Sequence, residues 1–263
     1  MDLGLKGKTV VVSGSTAGIG FAIASTLAAE GAEVVVNGRT QERVEAAVAK
    51  IKKASGSAVR GIAADLGTAA GVELFIRQAP QADILVNNMG IFEPKPFLEI
   101  SDADWLRFFE VNVLSGVRLT RHYLPGMVEK KWGRVVFISS ESAQQAPKEM
   151  VHYGMTKTAQ VAIARGIAES VAGTGVTVNS ILVGPTESEG VSGYLEAMAK
   201  QQKMTKQQIE KEFFVSARPS SLLKRFQTTE EIAATVAFVV SSQAATISGS
   251  AVRAEGGVLR SIF

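Results

Sequence analysis

Short valine-rich runs alternate along this chain with stretches in which apolar residues recur every three to four positions, and this alternation restricts the fold more than any other feature. Lys8 to Val12 is the first run; from Gly18 the spacing of Ile19, Ala22, Ile23, Thr26 and Leu27 predicts a helix closed by Gly31. EVVVN at 33–37 predicts a second strand, and Gln41 to Ala54 a second helix ending near Gly56. AVRGIAA, a short helix through VELFIRQ, and DILVN at 83–87 continue the pattern. Ser101, with Asp104 at capping-box spacing, opens one long helix running through VEK at 128–130. RVVFISS, a helix from Met155 to Ala172, VTVNSILV and SAVRAE complete the series. Seven strands separated by helices predict an α/β fold: one doubly wound parallel sheet, helices on both faces, right-handed crossovers.

A length of 263 residues, 46% of them apolar, suits a single domain over residues 1–263 with a substantial core. No internal repeat, low-complexity tract or linker divides it. Residues 186–226 break the rhythm, carrying no strand but a polar, methionine-bearing helical stretch, YLEAMAKQQKMTKQQIEKEFF. Ligands of open α/β sheets sit outside the carboxyl ends of the strands, so an excursion there is placed to serve as a substrate lid or to be a surface insertion only.

The chain has no cysteine, which excludes disulfides and thiolate chemistry and suits a reducing, cytoplasmic setting. The opening residues lack a secretion pattern, and no window reaches the roughly 18 apolar residues of a membrane span. A net charge of +3, with basic residues scattered rather than striped, argues against nucleic acid as a partner.

SGSTAGIG, residues 13–20, joins the first strand to the first helix. Glycines at 14, 18 and 20 permit a tight turn and close backbone approach, and the amides of a helix N-terminus favour an anion. In that context the turn predicts a dinucleotide site in a Rossmann-type fold. Further on, HYGMTK places Tyr153 and Lys157 one helical turn apart. Taken alone, such a pair also fits an ordinary solvated helix face.

SGSTAGIG, NNMG at 87–90 and YGMTK at 153–157 stand in the order and at the distances of the TGxxxGxG, NNAG and YxxxK motifs of the short-chain dehydrogenase/reductase family, which this chain resembles over essentially its whole length. The resemblance implies an oxidoreductase moving a hydride between a nicotinamide cofactor and a carbonyl or secondary alcohol. It implies a catalytic set of Asn112, Ser140, Tyr153 and Lys157, with Ser139 the less suitable serine. Tyr153 would exchange the proton, its pKa lowered by Lys157 and an oxidised nicotinamide; Ser140 would hold the carbonyl oxygen. Asn112 would bend the long helix and support a water relay to the lysine.

By the same resemblance the cofactor contacts are Gly14, Ser15, Thr16, Gly18, Ile19 and Gly20 at the turn, Asp65 and Leu66 at the adenine and Asn88 and Gly90 at the ribose. Tyr153, Lys157, Gly184 and Thr186 complete them at the nicotinamide end. Where an NAD enzyme carries an acid after strand two, this chain has Gly38 and Arg39. A guanidinium suits a 2'-phosphate, so NADP(H) is expected over NAD(H), and with it ketone or aldehyde reduction, although a solvated turn residue would look the same. The family also implies a homotetramer built through the helices bearing Asn112 and Tyr153.

Met89 replaces the alanine of NNAG and is expected beside the nicotinamide; Val183 replaces a proline before Gly184, and Glu255 an aspartate. His122 and His152 lack metal-ligand spacing, and His152 is expected at the pocket or on the helix surface, so no metal is assigned. Tyr194, Met198, Phe213 and Phe214 are candidates for an apolar pocket ceiling. Two rivals remain open: a noncatalytic NADP(H)-binding regulator or scaffold, and an NAD-dependent alcohol dehydrogenase.

Overall fold

Alternate residues of the valine-rich runs point to opposite faces of a sheet, and each face carries its own core. The computed structural model describes residues 1–262; the side chains of Tyr194, Ala197 and Gln201 fall outside the description. The chain runs β1 (Thr9–Val12), α1 (Gly18–Ala29), β2 (Glu33–Gly38), α2 (Gln41–Ser55), β3 (Val59–Ala63), α3 (Ala69–Gln78) and β4 (Ile84–Asn87). It continues through α4 (Asp102–Phe109), α5 (Ser115–Glu129), β5 (Gly133–Ser140), α6 (Val151–Ser170) and β6 (Val176–Val183). Then come α7 (Glu189–Gln202), α8 (Lys206–Ser216), α9 (Thr229–Val239) and β7 (Ala251–Ala254).

The seven strands form one parallel sheet in the order β3-β2-β1-β4-β5-β6-β7, the predicted doubly wound Rossmann-type α/β arrangement. Val10, Val12, Val34, Val36, Ile84 and Val86 face α1, α2 and α9, while Val11, Val35 and Leu85 face α3, α5 and α6. Because β1 lies beside β4, the crossovers leave that point in opposite directions and open a crevice at the carboxyl ends.

Two helices differ from expectation. The predicted single helix after Ser101 is α4, with its Ser101–Asp104 capping box, then a π-helical turn over Glu110–Leu114, then α5. The i→i+5 turn inserts one residue without disturbing apolar periodicity, so spacing does not reveal it, but it falls where the resemblance placed a local bend, at Asn112. Helix α6 starts four residues earlier than Met155, at Val151, which places Tyr153 and Lys157 inside it. The 186–226 excursion is a pair of helices, α7 and α8, packed on their own cluster of Leu195, Ile209, Phe214 and Phe226. A bridge between Thr186 and Gln227 joins its two ends.

Asn37 ties the front of the sheet together. Its buried side chain accepts from the Gly14 amide at 3.1 Å and donates to the carbonyls of Ile62 at 3.3 Å and Ala64 at 3.0 Å. An isosteric apolar side chain would leave three buried main-chain groups unpaired, so Asn37→Leu should cost about 2–4 kcal/mol of stability. A lowered urea midpoint at unchanged slope is the expected result; a shift under about 1 kcal/mol would mean that the turn and strand ends hold without the amide.

Candidate active site

The glycine-rich turn is built for close approach. Gly14 and Gly18 take φ of +59° and +56°, and a Cβ on Gly20 would lie 2.4 Å from both the Asn88 amide nitrogen and the Gly14 carbonyl. Asn88 braces the turn by donating to the carbonyls of Ser13 and Gly14. At the end of β2, Gly38 lets Thr16 pack where a Cβ would come within 2.4 Å of its methyl, and Arg39 follows, exposed. Asp65 is also exposed, its carboxylate accepting from the Gly67 amide at 3.0 Å.

Two expected cofactor contacts have their side chains turned inward. Ser15 is fully buried: its hydroxyl donates to the Val12 carbonyl at 2.7 Å and its amide to the Asn37 carbonyl at 2.8 Å, so its donors brace the turn. Leu66 has its side chain in the core between sheet and α3, leaving only its main chain to meet a ligand.

A cavity of about 900 Å³ lies beyond the strand ends and is lined by Ile19, Asn88, Gly90, Ser140, Tyr153, Lys157, Gly184 and Thr186. The Lys157 ammonium stands 5.5 Å from the Tyr153 ring centroid and donates to the Ile138 carbonyl at 2.8 Å and to Gln160 Oε1 at 3.2 Å. Both Ser139 and Ser140 line the cavity, but the Ser139 hydroxyl donates to the Lys157 carbonyl at 2.9 Å, bracing α6. Asn112 does not line it. Its side chain clamps Ile91 through both main-chain groups and donates to Thr156 Oγ1 at 3.0 Å. The Asn112 carbonyl, in the π turn, accepts from Gln160 Nε2 at 2.6 Å. The Gln160 amide thus links the Asn112 carbonyl to the Lys157 ammonium.

Met198 and Phe213 line the cavity as expected, but Phe214 belongs to the α7–α8 cluster, and the side chain of Tyr194 lies outside the described residues. Met89 packs against the core beside Gly14 and does not line the cavity. His152 neither lines the pocket nor faces solvent: it is fully buried, 3.9 Å between ring centroids from Phe108 and 6.0 Å from Trp105. Glu255 caps the last turn, accepting from the amides of Val258 and Leu259. Among the described residues no cluster of three His, Cys, Asp or Glu could hold a metal, and no helix is long and apolar enough to cross a membrane.

The family profile of the short chain dehydrogenases matches residues 8–209. This chain belongs to that family. The short chain dehydrogenase is 49% identical to the uncharacterized oxidoreductase YvaG of Bacillus subtilis, covering 100% of both chains. It is 34% identical to a D-beta-hydroxybutyrate dehydrogenase of Cupriavidus necator over 96% of this chain and 98% of that one. The crystal structure of L-sorbose reductase from Gluconobacter frateurii, complexed with NADPH and L-sorbose, superposes with a TM-score of 0.94 at 30% identity, covering 100% of each chain.

In this short chain dehydrogenase, burial and then the charge of Glu141 push the Tyr153 phenol above its ordinary range, with Ser140 and Arg218 pulling weakly back. Lys157, whose charge was expected to lower the phenol together with an oxidised nicotinamide, is itself lowered to about 8 by burial, against the pull of Glu141. Sequence spacing missed three polar side chains here, Gln160 and Glu141 buried and Arg218 partly so. Gln160 lies on the buried face of α6 with Thr156 and Lys157, and Glu141 pairs with Arg218 at 2.9 Å across 77 residues of chain.

The lysine makes stability depend on pH. Between about 8 and its unfolded value of 10.5 the unfolded chain holds the Lys157 proton and the folded chain does not, so stability rises with pH there. Between about pH 7.5 and 9.5 the wild type should gain about 2 kcal/mol more than Lys157→Met in urea unfolding without added nucleotide. Equal gains would show that the buried amine titrates normally.

Proposed function

We propose that this protein is an NADP(H)-dependent carbonyl reductase, converting a ketone or aldehyde to an alcohol with Tyr153 as the acid. The observation that carries the reading is the convergence of Ser140, Tyr153 and Lys157 in the lining of one cavity. A phenol is protonated at neutral pH, the form that donates in reduction.

The residues present fit a dinucleotide. Gly14, Thr16, Gly18, Ile19 and Gly20 would form the pyrophosphate cradle, whose tight turn a Cβ at Gly20 would break by collision with the Gly14 carbonyl and Asn88. Arg39 would hold the 2'-phosphate, Asp65 and the Leu66 main chain the adenine, Asn88, Gly90 and Lys157 the ribose, and Gly184 and Thr186 the nicotinamide end. When bound, a reduced nicotinamide would supply the hydride. Ser140 and Tyr153 would hold the carbonyl oxygen, and Tyr153 would give that oxygen its proton. The Lys157 ammonium steadies the phenolate left behind, and Asn112, through Gln160, keeps the ammonium in place. Helices α7 and α8 act as the lid, with Val191, Leu195, Met198 and Phe213 excluding water above the reacting carbon. Exposed Phe97, Leu98, Leu106 and Phe109, on and before α4, suit assembly into the homotetramer. A cytoplasmic setting accords with the cysteine-free composition.

Absorbance at 340 nm follows the reaction. Tyr153→Phe should lower kcat by about 10²–10⁴-fold with NADPH binding unchanged; full turnover in that variant sinks the assignment, and nucleotide binding without turnover of any carbonyl by the wild type points to a regulator. Arg39→Asp should weaken NADPH by about 10–100-fold and improve NADH. An unchanged NADPH/NADH ratio removes Arg39 from the site.

A further inference from the structure

Beside Ser140 stands an acceptor that reduction of a simple carbonyl does not require. Glu141 follows Ser140 in a short 3-10 turn and lines the cavity with it, 5% exposed. Its Oε1 receives Arg218 Nε at 2.9 Å, and Arg218 also stands 3.6 Å from Glu149. Its Oε2 receives the Ser142 amide at 2.9 Å, the Ser142 hydroxyl at 3.2 Å and the Ser140 hydroxyl. A carboxylate paired with arginine only accepts, so Ser140 is the donor in that contact. The Ser142 amide donates to Ser140 Oγ at 3.1 Å, so the single hydroxyl proton of Ser140 is directed at Glu141 and none is left for a substrate oxygen.

We propose that Glu141 is a specificity-determining residue that accepts a hydrogen bond from a hydroxyl on the carbon next to the substrate carbonyl, so that the pocket selects α-hydroxy ketones and aldehydes. The inference rests on the reading above, in which Ser140 and Tyr153 hold the carbonyl oxygen. A substrate hydroxyl donating to Oε2 takes the place of Ser140, whose proton then turns to the carbonyl oxygen; one hydrogen bond is gained and none lost. With a simple ketone, Ser140 leaves Glu141 and nothing replaces it. Ser140 Oγ and Glu141 Oε2 are in hydrogen-bond contact, which matches two oxygens on adjacent carbons rather than distant ones. A carboxylate on the neighbouring carbon would meet the like charge of Glu141, with Arg218 already engaged by two acids.

The test compares hydroxyacetone, 2-butanone of the same shape, methoxyacetone lacking the hydroxyl proton, and pyruvate, each with NADPH. A hydrogen bond to a charged acceptor predicts a kcat/KM for hydroxyacetone about 10–100-fold above the other three. In Glu141→Gln the hydroxyacetone-to-butanone ratio should fall towards one, in a variant shown to be folded by circular dichroism and NADPH fluorescence. Equal wild-type rates on hydroxyacetone and butanone overturn the inference alone, and so does a Glu141→Gln variant that loses both substrates in proportion. Wild-type protein that reduces none of the four overturns this inference, and the carbonyl-reductase reading is then decided separately by turnover across a wider panel of carbonyls. If the variant does not fold, the wild-type comparison decides.

Discussion

Lys157 is a cation held inside the protein by neutral oxygens, the Ile138 carbonyl and the Gln160 amide, and much of the surrounding architecture serves to supply them. Taking an ammonium out of water costs several kcal/mol unless its protons are satisfied, and those acceptors must be rigid to count. Ile138 is fixed by β5 between two neighbouring strands. Gln160 is fixed by its second hydrogen bond, to a carbonyl presented in the π turn after α4. Asn112 then ties that turn to Ile91 and Thr156, so strand, bent helix and α6 meet around one amine.

The same region holds a second buried charge of opposite sign. Glu141 acts on Tyr153 and Lys157 alike, raising the phenol and opposing the loss of the lysine proton. Its own partner, Arg218, comes from just beyond α8, so the charge balance near the reacting hydroxyl depends on the segment above the cavity being in place. One ion pair therefore ties the charge beside Tyr153 to the segment that follows α8.

What the sequence revealed and what it hid divide along physical lines. Strands such as Val10–Val12 and Val34–Val36 are apolar on both faces because helices cover both sides, which makes them readable without any partner. The glycines of the first turn were readable because their backbone conformations exclude other residues. The π turn was not readable from spacing, since EVNV keeps the periodicity of an ordinary helix; only the resemblance placed a bend at Asn112. His152 looked polar but lies against Phe108 and Trp105, where its neighbours in space decide its burial. Ser15 carried the expected motif position yet turns both donors inward, a matter of side-chain direction that spacing does not encode. Glu141 and Arg218 are joined only by the folded chain.

Thr186 and Gln227 pair at the root of the α7–α8 excursion, leaving the two stems side by side against the last strands. The helices between those stems bury Leu195, Ile209, Phe214 and Phe226 against one another, apart from the two cores that flank the sheet. The excursion is thus anchored at its root and packed within itself, so its internal packing and the register of the strands below rest on different side chains.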